Sequence, residues 1–189
     1  MPNSFRVIGP YIPSKNGSPD ELAQPLSAAG TPGDYTDYAP GEKGSAFQHQ
    51  DKTYQLVVCD SGATSLTPTG VVTANQLAFW KDYGKRLVTN DMRMCVSPTD
   101  PSSCVAGVFR KTISAAHGAG GTLMAVLLRG KGVPVRAGTT AVGPIVADTT
   151  AGQARVVTVT GTRPVLGFAR VADSGGSVAN ADIDIPSLP

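Results

Sequence analysis

The chain has 189 residues, 41% of them hydrophobic and 16% charged, so it is long enough to bury one sizeable core. Its 22 glycines and 15 prolines make up about a fifth of the sequence, which is less than disorder requires and favours a turn-rich β protein. The net charge of +2 gives no electrostatic support for binding to nucleic acid or to an anionic membrane. No apolar run approaches the roughly 20 residues of a membrane helix. We therefore expect a soluble protein without nucleic-acid or membrane partners.

Prolines interrupt the first fifty residues throughout. They stand at positions 2, 10, 13, 19, 25, 32 and 40, and this frequency excludes a long helix or a central strand. Only residues 20–24 could form a helical turn. The segment also contains Tyr11, Tyr35 and Tyr38, whereas disordered segments are usually poor in aromatic residues. We predict an extended arm over residues 1–50 that its aromatic side chains anchor, either to its own domain or to a neighbour's.

From residue 51 onward the sequence is a series of short β-strand patterns separated by Gly, Pro and Thr turns. Residues 53–59 and the glycine-bounded apolar run 123–128 predict buried strands. Residues 155–171 predict two strands that form a hairpin. The alternation over residues 181–186 directs Ile183 and Ile185 into a core. The predicted fold class is therefore all-β, a small β-barrel or β-sandwich over residues 51–189, behind the extended Pro-rich N-terminal arm.

Residues 71–88 fit two secondary structures. Helical spacing is shared by Leu77, Trp80, Tyr83 and Leu87. Gly84 and the β-rich surroundings favour a hairpin that turns at residues 83–85, and the hairpin is our prediction. Trp80 has basic neighbours and is a candidate contact residue, although a tryptophan at such a position is more often part of the core.

The three cysteines cannot all pair within one chain. Cys95 and Cys104 flank a turn-rich loop, VSPTDPSS, that a disulfide could close, and Cys59 lies elsewhere. No signal peptide argues for an oxidising compartment, so we expect reduced thiols.

The clearest catalytic signal is the string LVVCDSGATS at residues 56–65. It resembles the active-site motif of retroviral-type aspartic proteases, and Val165-Leu166-Gly167 resembles the second apolar element of that family. The resemblance implies that Asp60 pairs with its twin from a second subunit, and that the two carboxylates share a proton to activate water. An ordinary Asx turn gives the same string, and the gap between the two elements is long for that family. The protease is therefore an alternative, and we otherwise assign no catalytic residue.

Cofactor signatures are missing from the sequence. His49 and His117 have no clustered ligand residues, and neither a P-loop nor a nucleophile elbow occurs. We expect no cofactor and no metal ion.

Five segments carry a further likeness: VVTANQLAFWKD (71–82), LVTND (87–91), GVPVRAG (132–138), PVLGFARVAD (164–173) and ANADIDIP (179–186). Together they resemble tailed-bacteriophage head decoration, or cement, proteins. The resemblance implies a non-enzymatic virion protein on the capsid exterior, assembled in the host cytoplasm, that binds the major capsid protein at capsomer junctions as a dimer or trimer. Candidate contact residues are Tyr11, Tyr35, Tyr38 and Trp80. A virion-surface module that binds glycans is a further alternative.

Overall fold

The computed structural model describes residues 18–25, 46–60, 72–97, 99, 101–113, 121–138, 142–148, 152–156, 164–170 and 178–186. Over these residues the protein is all-β, which confirms the predicted class. The strands are β1 (Ala23–Pro25), β2 (Ala46–His49), β3 (Lys52–Cys59), β4 (Leu77–Asp82), β5 (Leu87–Thr89), β6 (Val105–Phe109), β7 (Thr122–Val135), β8 (Gly143–Ala147), β9 (Ala154–Val156), β10 (Gly167–Ala169) and β11 (Ala179–Asp184). Short 3-10 helices span Pro19–Glu21, Met92–Met94 and Pro101–Cys104.

Five of the strands close into a barrel. β3 pairs with β5 in parallel, and antiparallel pairs then join β5 to β4, β4 to β6 and β6 to β7. β7 pairs with β3 from Cys59↔Thr122 to Thr53↔Arg129 and completes the ring. The closed five-stranded ring confirms the prediction of a small β-barrel.

The long strand β7 joins the barrel to a second layer. Its first half belongs to the barrel, and its second half pairs with β11, from Arg129↔Asp184 to Val135↔Ala179. The order then continues from β11 to β10, β8 and β9. A parallel bridge between Ala137 and Ala154 pairs β9 with the residues that follow β7. Residues 122–128 are buried along their whole length, as expected for a strand covered on both faces.

A single hydrophobic core unites the barrel and the second layer. Its largest fully buried side chains include Trp80, Tyr54, Phe79 and Phe109. Complete burial of a large apolar side chain contributes about 1.5–3 kcal/mol. Ile183 is 2% exposed, which confirms the core position that its alternating segment predicted.

The two predicted hairpins have different outcomes. β4 and β5 pair antiparallel across a turn in which Asp82 Oδ1 accepts a hydrogen bond from the Lys85 backbone N–H at 3.0 Å, so the hairpin over residues 71–88 is confirmed. The hairpin predicted over residues 155–171 is wrong at its described ends, and its residues 157–163, including the predicted turn, lie outside the described residues. β9 pairs with β8, whereas β10 lies between β8 and β11, because strand partners depend on long-range register that local alternation does not contain.

Two pieces of the predicted arm belong to the sheet. β2 pairs antiparallel with β3 across a tight turn that holds Gln50 at φ 56°. β1 pairs with residues 122–124 of β7, on the edge that β6 leaves free after Phe109↔Val126. The sheet therefore begins earlier than the predicted boundary at residue 50.

Candidate functional site

Asp60, the catalytic residue of the protease alternative, lies directly after β3. Its backbone N–H donates to the Val88 carbonyl oxygen at 2.8 Å. Its carboxylate is 15% exposed and forms an ion pair with the Lys81 ammonium group at 2.5 Å. An aspartic-protease dyad requires a second carboxylate at hydrogen-bonding distance. The described partner of Asp60 is instead a cation, and the motif residues that follow Asp60 lie outside the described residues.

The second protease-like element does not adjoin the first in the sheet. Leu166 and Gly167 lie at the start of β10, and β7 and β11 separate this strand from β3 in the strand order. The two elements that resemble the protease family are therefore not paired neighbours.

Trp80 belongs to the hydrophobic core. Its side chain is 2% exposed, and its ring lies 5.9 Å from that of Tyr83, measured between centroids. The backbone carbonyl of Trp80 accepts a hydrogen bond from the Val96 N–H at 2.8 Å. Trp80 was also a candidate partner contact, and a side chain this deeply buried offers almost no surface to a partner. The other interpretation, a core tryptophan, is confirmed. Tyr11, Tyr35 and Tyr38 lie outside the described residues.

Residues 18–25, which we call the docked segment, pack on the barrel of the same chain. The side chain of Leu22 enters the core and is only 2% exposed. Asp20 Oδ1 accepts a hydrogen bond from Arg110 Nε at 3.3 Å, and Glu21 Oε2 accepts one from Lys111 Nζ at 2.6 Å. Together with β1, these contacts bind the docked segment by backbone pairing, apolar burial and two ion pairs.

A polar network lies beneath the docked segment. Arg110 is 13% exposed, and its Nη1 donates to Asn75 Oδ1 at 2.9 Å. The Tyr54 hydroxyl is hydrogen-bonded to Asp20. Burial, reinforced by the charge of Asp20 and by this hydrogen bond, raises the pKa of Tyr54 far above its ordinary value, so the phenol stays neutral. Sequence reasoning missed this network, because its members are up to 90 residues apart.

Several apolar side chains share the outward side of the second layer, and we call this surface the apolar outer face. It comprises Val142, Pro144, Phe168 and Val178. Phe168 is 47% exposed and lies in register between Pro144 of β8 and Asp182 of β11. Val142 is 56% exposed and Val178 is 37% exposed. Strand alternation places Val142 on the Pro144 side of its sheet and Val178 on the Asp182 side, so all four residues face the same way.

Charged and polar groups lie among these apolar side chains, because Arg170 follows β10 between Val142 and Asn180. Asp182 Oδ2 accepts a hydrogen bond from Arg170 Nε at 2.7 Å, and Asp182 Oδ1 accepts one from the Gly132 N–H at 3.0 Å. The hydrogen bond from Arg170, followed by that from Gly132, lowers the pKa of Asp182 below its ordinary value. Aromatic residues and arginine are among the residue types enriched in protein–protein interfaces. Sequence alternation did indicate that Phe168 and Arg170 share a face, but not that this face is exposed.

A charged groove of about 490 Å³ lies beside Asp182. Its lining includes Asp51, Arg129, Lys131 and Asp184, and Arg129 Nε donates to Asp184 Oδ1 at 2.8 Å. Nowhere in the described part of the chain do three His, Cys, Asp or Glu side chains gather as a metal site. Among the same described residues, no helix has the length and apolar character needed to cross a membrane.

Fold and surface define the class of this protein as all-β, with a closed five-stranded barrel, a docked segment of its own chain and an exposed apolar outer face. No family model, no curated protein and no solved structure matches the chain.

Proposed function

We propose that the chain is a structural protein of a tailed-bacteriophage virion that binds the major capsid protein on the capsid exterior. The observation that carries this proposal is the apolar outer face, where Phe168 is 47% exposed next to the Arg170–Asp182 ion pair. Exposed apolar side chains that include an aromatic residue, with an arginine beside them, are typical of interaction surfaces. The phage assignment itself rests on the resemblance of the strand segments to head decoration proteins.

The barrel suits a protein that stabilises a larger assembly. Its surface residues belong to a closed barrel with a well-buried core, so the protein loses little conformational entropy when it docks. A copy that binds the assembled shell, but not free subunits, stabilises the shell by about 2.7 kcal/mol per site at a concentration of 100 Kd. A dimer or trimer would add avidity, because several faces could bind one capsid together.

The proposal is tested with undecorated capsids of the virus that encodes the chain. We expect the purified protein to cosediment with them and to raise their melting temperature. Phe168→Asp should abolish both effects, because it places a charge in the centre of the apolar outer face. Val96→Asp is the matched control, since Val96 is 41% exposed outside this face. Failure to bind at any salt concentration, or equal binding by the two variants, contradicts the proposal.

A further inference from the structure

The thiols of Cys95 and Cys104 lie next to each other inside the protein. Their Sγ atoms are 2.8 Å apart, and the two residues are 5% and 0% exposed. Cys95 follows the 3-10 helix Met92–Met94, and Cys104 ends the 3-10 helix Pro101–Cys104 directly before β6. The two helical turns therefore direct both thiols to one point, although nine positions separate them in the sequence.

We propose that Cys95 and Cys104 form an intramolecular disulfide when the protein meets a disulfide oxidant such as oxidised glutathione. An S–S bond is about 2.0 Å long, so the sulfur atoms need to approach by only about 0.8 Å. The inference stands independently of the proposed function. It also specifies the condition under which the two thiols, which form no disulfide in the structure, are oxidised.

Cys59 is not the partner in this reaction. It is completely buried in β3, and its Sγ lies 3.9 Å from the Asp60 carbonyl oxygen. Burial raises the pKa of the Cys59 thiol far above its ordinary value, which keeps the nucleophilic thiolate scarce. The three cysteines therefore comprise one close pair and one unreactive thiol in the core.

The reaction proceeds by two thiol–disulfide exchanges. The Cys95 thiolate, the more exposed of the pair, attacks one sulfur of oxidised glutathione and releases one glutathione thiolate. The Cys104 thiolate then attacks the Cys95 sulfur of the mixed disulfide and releases the second glutathione. Two protein thiols thus lose two protons and two electrons, and oxidised glutathione becomes two reduced glutathione molecules.

The disulfide would link the two ends of the ten-residue segment 95–104. Val96 of this segment contacts β4, because its N–H donates to the Trp80 carbonyl oxygen. Closing a loop of this length restricts the unfolded chain, and we expect the melting temperature to rise by about 5–10 °C on oxidation.

The full-length protein is incubated with oxidised glutathione or with a phosphine reductant, denatured, alkylated with N-ethylmaleimide and digested with trypsin. Cys95 and Cys104 lie together in the tryptic peptide 94–110. After oxidation this peptide should be lighter by two hydrogen atoms and carry no maleimide, while the Cys59 peptide should carry one. Calorimetry of the two samples should show the expected shift in melting temperature.

Two variants complete the test. Cys59→Ala should keep the redox-dependent shift, and Cys95→Ser should lose it. If Cys95→Ser does not fold, the peptide masses of the wild-type protein decide. The inference is overturned if peptide 94–110 carries two maleimides after oxidation, if the bridge includes Cys59 or a second chain, or if oxidation leaves the melting temperature unchanged.

Discussion

Replacing Arg110 by alanine should release the docked segment before the barrel unfolds. Arg110 is 13% exposed and makes two hydrogen bonds, at 3.3 Å to Asp20 and at 2.9 Å to Asn75. Hydrogen bonds to charged groups contribute about 1.5–3 kcal/mol each, but the contact with Asp20 is long and Asp20 is 25% exposed. We therefore expect a loss of about 2–3 kcal/mol in the free energy of unfolding.

The neighbouring pair supplies the control. Lys111 and Glu21 are 38% and 52% exposed, so Lys111→Ala should cost no more than about 1 kcal/mol, as is usual for surface ion pairs. Urea unfolding measures the two losses. Native-state hydrogen exchange measures local opening, and the backbone amides of β1 should exchange faster in Arg110→Ala than in Lys111→Ala. Equal losses for the two variants, or unchanged exchange of the β1 amides, would refute the reasoning.

Four further predictions concern single residues. Gly121→Ala should destabilise the protein by about 2–4 kcal/mol, because Gly121 has φ +91° and a Cβ would lie 2.4 Å from a backbone oxygen of β3. Gly132 has φ +61° but open space around its Cα, so Gly132→Ala should cost only about 1–2 kcal/mol when both variants are measured by urea unfolding. The pKa of Asp182 is lowered in the folded state, so its stabilising effect is complete above the ordinary aspartate pKa of about 3.9 and is lost as the pH falls through the folded-state pKa. The stability difference between wild type and Asp182→Asn should therefore vanish in acid. A difference that stays constant with pH contradicts this. The raised pKa of Tyr54 predicts that its ultraviolet ionisation signal is absent near pH 10 and emerges only with unfolding, and that stability declines as the pH rises further; a normal titration of all tyrosines would exclude it. A peptide-library digest at mildly acidic pH should be the same for wild type and Asp60→Asn, and a cleavage product that only the wild type generates would instead support the protease alternative.

If the apolar outer face binds a capsid, Phe168 and the docked segment have separate roles. Phe168 lies on the second layer, whereas the docked segment completes the pairing of β7 within the barrel. Substitutions at Phe168 should therefore alter binding with little change in stability, since exposed side chains contribute little to folding. Substitutions at Arg110 should lower the stability with little change in binding.

The sequence by itself determined the local structure. Alternation over residues 181–186 predicted the buried Ile183, and Gly84 with its β-rich surroundings predicted the hairpin of β4 and β5. These predictions succeeded because the period of a strand and the geometry of a turn depend on neighbouring residues.

The tertiary structure alone decided which strands pair and which side chains remain exposed. Nothing local distinguishes β8 and β11 from β9 as partners of β10, since each strand offers the same backbone groups. The burial of Trp80 and the exposure of Phe168 likewise depend on which layer covers each face. Both outcomes follow from contacts between residues far apart in the chain, where register and the enclosed volume determine the lowest free energy.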